Sequence, residues 1–327
     1  MKKNKSIINF ILIILVEVIL FGILTGFFVE NIIGEVGSPN ITVQTLVNIS
    51  AVAPEVIYLE VNDLNDITLN ANSTVSVECV ALLRDYNNDS FLNNLSAKIF
   101  RTTSLYSDPD DNNSHYTNNT CIIDTTYGSF NGIPDDEYHA LGNCTFDLWY
   151  YSDPNEWNCT MNVNNTFNYT HSNSTNTSVS ELIAIDMPDT ISYGTVNATY
   201  MSGENITNIS NVGNVALNLS LKGWAIDEDD GNAMNCTYGT IKNITIEHEK
   251  YNLSASNPGE LILAQAEINY TNLTGSSVIE QFSLDYRRQD SYNDATNASY
   301  WRIYVPAGVA GTCEGNIQFG ATQSEAD

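Results

Sequence analysis

The sequence predicts an all-β chain built of antiparallel sandwiches, and three observations predict it. Beyond residue 36, short alternating runs rich in Val, Ile, Thr and Tyr are separated by clusters of Asn, Asp, Gly and Pro. That is the pattern of strands with one buried face. No helical periodicity interrupts them. All six cysteines, at 79, 121, 144, 159, 236 and 313, fall in this stretch. An even count in an exported chain implies disulfides, with 15 connectivities open before further argument. At 327 residues there is length for about two domains, expected at 37–183 and 184–327.

Residues 1–36 form a targeting segment. Lys2, Lys3 and Lys5 precede a largely apolar run over 7–29, long enough to span a bilayer and longer than a secretory h-region. No A-x-A-like cleavage site follows; the exit reads Gly26-Phe27-Phe28-Val29-Glu30-Asn31. The reading is a signal anchor, with a cleaved signal peptide as the alternative, because Glu17 is costly at mid-span. The positive flank places the remainder outside the cell. No apolar span follows Phe319, so the N-terminal segment is expected to hold the protein to the membrane.

In the first domain, Thr74-Val75-Ser76-Val77-Glu78-Cys79-Val80-Ala81 alternates so that positions 75, 77, 79 and 81 face inward. Trp157, Cys159, Met161 and Val163 form a second inward set, which turns Asn158 to solvent. Asp153-Pro154-Asn155-Glu156-Trp157-Asn158-Cys159 resembles the F-strand motif of immunoglobulin-like domains, with Trp157 where that motif carries its corner tyrosine. The resemblance implies immunoglobulin-like sandwiches and makes Cys79 the sheet-to-sheet partner of Cys159. Strands are expected at 96–103 and 144–151. Between them lies a polar insertion at about 104–143, too long for a hairpin and expected to be stapled by Cys121–Cys144.

The second domain begins near Ala184, with a strand expected at 189–196. Asn211-Val212-Gly213-Asn214 reads as a turn into a strand whose Val215, Leu217, Leu219 and Leu221 face in and whose Asn218 faces out. Further strands are expected at 243–249, 278–286, 300–305 and 316–321. Cys236 and Cys313 remain for each other. The anchor, the cysteine layout and the paired strand motifs together resemble N-terminally anchored surface glycoproteins of small-genome archaea, a resemblance that implies location more than mechanism.

Acceptor density is the second strong signal. Composition alone gives about 8 N-x-[ST] motifs after residue 36; the chain has 23. They include Asn40, Asn48, Asn72, Asn158, Asn164, Asn168, Asn218, Asn243 and Asn297, and a threefold excess points to N-glycosylation. The net charge of −27 repels nucleic acid and anionic lipid.

The remaining candidates for chemistry are sparse. Asp227, Asp229 and Asp230, or Asp85 and Asp89, are the candidate calcium ligands. The first set departs from EF-hand spacing because Gly231 comes one place early. His115, His139, His171 and His248 share no metal-binding spacing, and no nucleophile elbow or phosphate loop is present. Paired carboxylates of a glycosidase are the one catalytic opening. Arg287-Arg288, the only adjacent basic pair outside the anchor, suits either a bridge to Asp285 or Asp290 or a docking point for another copy. Tyr138, Trp149, Tyr150, Tyr151 and Trp157 would form either core or an adhesive, sugar-binding face. The expected function is a non-catalytic surface glycoprotein with a structural or adhesive role. One alternative is a filament or array subunit assembled by strand complementation, with 42–50 as the donated strand. Another is a carbohydrate- or calcium-binding module.

Overall fold

A computed structural model describes residues 42–290 and 295–324. The expected membrane segment 7–29 and the acceptor Asn40 lie outside the described residues. Residues 42–50 form no strand and their side chains are exposed. Residues 51–290 and 295–324 belong to one compact unit.

The first half of that unit contains β1 (Glu55–Val61), β2 (Thr74–Arg84), β3 (Leu92–Arg101), β4 (His115–Asn118), β5 (Ile122–Asp124), β6 (Ser129–Phe130), β7 (Ile133–Pro134), β8 (His139–Trp149), β9 (Asn155–Asn165) and β10 (Thr170–Val179). Two four-stranded antiparallel sheets result, ordered β1-β2-β8-β5 and β10-β9-β3-β4. Val77, Cys79 and Ala81 of β2 are buried while Ser76 and Glu78 are exposed. Trp157, Cys159, Met161 and Val163 do the same on β9, and both faces share one core with Leu95, Ile99, Phe146 and Leu148. Each such aliphatic side chain contributes about 1.5–3 kcal/mol on burial. Cys79–Cys159 ties sheet to sheet, with Cα atoms 6.7 Å apart.

Trp157 also bonds back to the preceding turn. Its buried indole Nε1 donates to the Asp153 carbonyl at 2.8 Å, anchoring the chain where it enters β9. Trp157→Phe is expected to cost about 2 kcal/mol, from one lost hydrogen bond and a small cavity. A shift of the urea midpoint with unchanged slope would record it; an unshifted midpoint would refute it.

The expected insertion is richer than its polar sequence suggests. β4 pairs with β3 and β5 pairs with β8, so the segment supplies an edge strand to each sheet. Cys121–Cys144 holds it with Cα atoms 4.5 Å apart. β10, Thr-His-Ser-Asn-Ser-Thr-Asn-Thr-Ser-Val, is a strand with almost no buried side chain. Its register is set by ten successive pairs with β9.

The second half contains β11 (Ile185–Asp186), β12 (Asn205–Asn211), β13 (Leu217–Trp224), β14 (Asn232–Gly239), β15 (Asn243–Thr245), β16 (Glu249–Asn252), a short helix α1 (Leu263–Asn269), β17 (Thr271–Asn272), β18 (Val278–Leu284), β19 (Thr296–Ile303), β20 (Val309–Glu314) and β21 (Asn316–Gln323). The sheets are β11-β12-β19-β16-β17, β18-β13-β21 and β15-β14-β20. Leu217, Leu219, Leu221, Tyr251 and Trp301 centre the main core. Cys236 and Cys313 stand opposite each other on β14 and β20 and are bonded.

Three expectations fail here for identifiable reasons. The strand expected at 243–249 is broken by a 3-10 turn at Ile246–His248, which lets the chain leave β15 and enter a different sheet as β16. The segment 189–196 alternates like a strand but lies as an irregular strap, because no neighbouring strand takes up its backbone groups. A helix exists where none was expected; Gln265 Oε1 accepts the Ile262 N–H at 3.1 Å and starts it.

The halves meet at Tyr150, Tyr151 and Val212. Gly213 sits in the turn beside them, where a Cβ would lie 2.1 Å from the Leu182 carbonyl oxygen, so the close approach requires glycine.

Candidate functional site

The asparagines divide into two populations. Asn113, Asn165, Asn211 and Asn214 are buried, and none is the acceptor asparagine of an N-x-[ST] motif. Asn165, Asn211 and Asn214 each donate two amide hydrogen bonds. Asn214 gives one to Ser152 O and one to Ser180 O. Asn165 binds Val52 O and Asp85 Oδ2, and Asn211 binds Val215 O and Asp285 O. A fully committed amide nitrogen is unavailable for a sugar. None of the 22 acceptor asparagines among the described residues is buried.

Acceptors nevertheless differ in access. Asn158 and Asn218, expected to face solvent, are half-buried. Asn218 Oδ1 accepts the Phe282 N–H at 3.0 Å, and Asn143, Asn158 and Asn164 have shielded Oδ1 atoms with no hydrogen-bond partner. Occupancy is expected to be lower at these three than at exposed Asn72, Asn168, Asn243 and Asn297. Glycopeptide mass spectrometry measures it, and equal occupancy would contradict the geometry.

The acidic clusters are turn chemistry. Asp230 accepts backbone N–H groups from Ala225, Ile226, Asp227 and Asn232, and these hold its carboxylate below the usual range against the opposing effect of desolvation. Asp85 is buried and accepts from Asn87 and Asn165. Burial pushes the Asp89 carboxyl upward. Among the described residues, no group of three His, Cys, Asp or Glu side chains is placed to hold a metal ion.

The histidines are likewise dispersed. His115 contacts Asp110 at 2.8 Å and stacks on Phe100, and His139 contacts Asp136 at 2.7 Å. His171 Nδ1 accepts the Val56 N–H on the edge of β1, and His248 stacks on Tyr304. Arg288 bridges Asp285 at 3.0 Å, while Arg287 lies over the Tyr151 ring and donates to Asp290 O. Tyr150, Tyr151 and Trp157 are buried, so five aromatics do not make an exposed face; Trp149 and Tyr138 retain exposure.

One concave site was not legible beforehand. A cavity of about 560 Å³ lies between the first half of β21 and the strap at 187–191, with Ile185, Met187, Ile317 and Phe319 on its walls. Glu249 sits in its lining, 1% exposed. Burial pushes this carboxyl up to about 7, partly offset by the Tyr193 hydroxyl, which donates to Oε1 at 2.8 Å. Across the strap is a second cavity of about 610 Å³, bordered by β20. The alternation at 189–196 is the sequence signal for this wall, and it marks an unpaired cover rather than a paired strand.

No family model matches the chain, and no curated protein matches it. Solved structures are similar only distantly. A chain from a chaperone–tip adhesin complex of CFA/I fimbriae biogenesis shares 13% identity, covering 80% of this chain and 78% of that one, with a TM-score of 0.29. The C-terminal domain of the Streptococcus agalactiae AgI/II polypeptide BspA shares 12%, covering 83% and 96%, with a TM-score of 0.23. The secreted serine protease VesC from Vibrio cholerae shares 8%, covering 79% and 49%, with a TM-score of 0.18. At TM-scores this low the likeness carries neither topology nor function across to this chain.

Proposed function

We propose that this protein is an N-glycosylated, non-catalytic surface protein with a structural or adhesive role, anchored outside the cell by residues 7–29. The observation that carries the reading is the separation of asparagines: the buried, doubly committed ones are not acceptors, and no acceptor among the described residues is buried. Chance placement of acceptors has no reason to spare the core. Three disulfides fit an oxidising compartment. Two facing sheets, a sheet-to-sheet cystine and the Trp157 corner support an immunoglobulin-like first domain, with the second beginning near residue 184.

The non-catalytic part rests on how the reactive groups are spent. No cysteine is free among the described residues, and the histidines serve separate local contacts. The test is mass spectrometry of protein taken from its native membrane, paired with protease shaving of intact cells. Glycan masses on acceptor peptides and release of the ectodomain are expected. Unmodified acceptors would remove the glycoprotein reading, and protection from the protease would remove the surface reading. Hydrolysis of a polysaccharide panel, lost on changing one carboxylate, would overturn the non-catalytic assignment.

A further inference from the structure

We propose that the free edge of β21 is an acceptor groove for the segment 42–50 of a second copy, which adds there as an extra strand. β21 pairs with β13 along eight residues, and no strand lies on its other side. Among the described residues no backbone hydrogen bond leaves β21 toward that side, nor does the facing strap at 187–191 make one. Two backbone rows without backbone partners thus border one groove of about 560 Å³. An extended chain between them would satisfy both.

The side chains point the same way. Leu217, Leu219 and Leu221 of β13 are buried, whereas Ile317, Phe319 and Ala321 of β21 pack on that core yet stay half-buried. The core is incomplete along this edge. Gly315 fixes the geometry by letting the chain switch from the β20 sheet to the β21 sheet, since a Cβ there would lie 1.7 Å from the Ala233 carbonyl oxygen.

The occupant is identified by its chemistry. Thr42-Val43-Gln44-Thr45-Leu46-Val47-Asn48-Ile49-Ser50 carries no charge in a chain of net −27, so it is a segment that another acidic copy does not repel. Val43, Thr45, Val47 and Ile49 share one face by the two-residue period. Val43, Val47 and Ile49 thus offer one apolar face to a partner strand. Asn48, an acceptor, falls on the opposite face with Gln44, Leu46 and Ser50, so a glycan there would point away from the groove. Nine residues span ~30 Å, and the eight of β21 span ~27 Å. The groove's carboxylates, Asp189 and Glu249, do not oppose a neutral strand.

This inference adds a partner to the surface reading and fails independently of it, because glycan occupancy plays no part in its test. Full-length protein carrying a photoreactive diazirine residue at position 45 is mixed in detergent as isotope-labelled and unlabelled chains and irradiated, so that the carbene formed on loss of N2 inserts into neighbouring bonds. Links between 42–50 of one copy and 316–323 of another are expected. Val47→Asp, which puts a charge on the inserted face, is expected to weaken association at least ~10-fold. A synthetic peptide of residues 42–50 should bind the Val47→Asp chain, whose groove is left open, and a scrambled peptide should not. Links only within single chains, equal association of the variant, or equal binding of the scrambled peptide would each overturn the proposal.

Discussion

Replacing Cys79 and Cys159 together by alanine will cost about 4 kcal/mol of stability, the largest loss expected from any single staple in the first half. The bond closes a loop with a sequence separation of 80. Releasing it returns about 4–5 kcal/mol of chain entropy to the unfolded state. The same reasoning gives about 3 kcal/mol for Cys121–Cys144, whose separation is 23. Location widens the gap. Cys79 and Cys159 are fully buried between the sheets, and Cys121 belongs to the partly buried margin. A fall in melting temperature of about 10 °C is expected for the first pair, measured by calorimetry on the otherwise intact protein. Equal losses for both pairs would reject the ordering, and a loss below about 1 kcal/mol for the first would reject its role as the central tie.

The difference between those staples follows what the residues disclose in advance. Strands with one apolar face announce themselves, and the alternation in β2, β9 and β13 matches their buried sides. A strand polar on both faces does not: β10 exists because β9 offers it a full register of backbone partners, and its own side chains record nothing of that. The converse error occurs at 189–196, where the side chains alternate but the backbone finds no partner. Buried charge is also hidden. Arg302 reads as one more polar residue in a strand, yet it is fully buried and donates to Ser202, Asn257 and Gly259 carbonyls and the Tyr270 hydroxyl. Those acceptors come from segments distant in sequence, and local pattern cannot assemble them. The candidate groove shares this property, since its walls are 185–191 and 315–319, joined only by the fold.

Glu249 offers the sharpest pH test of that assembled region. Its carboxyl has an ordinary value of 4.5 and is pushed up to about 7, with burial the dominant cause. At pH 4 it is protonated in both folded and unfolded chains, and its full contribution to stability is present. As pH rises past 4.5 the unfolded chain releases the proton freely while the folded chain still resists. Stability therefore falls by about 1.4 kcal/mol for each pH unit until the folded group also ionises near pH 7. The total loss is about 3 kcal/mol, and above pH 8 it grows no further. Glu249→Gln keeps an oxygen for the Tyr193 hydroxyl and has nothing to ionise. Urea unfolding of the two proteins from pH 4 to pH 8 should thus show curves that diverge by about 3 kcal/mol in favour of the variant as pH rises. A constant offset between them would report only packing, because packing does not titrate. Parallel curves across that window would mean that Glu249 ionises as easily in the fold as in water, and the floor of the groove would then have to be wet rather than apolar.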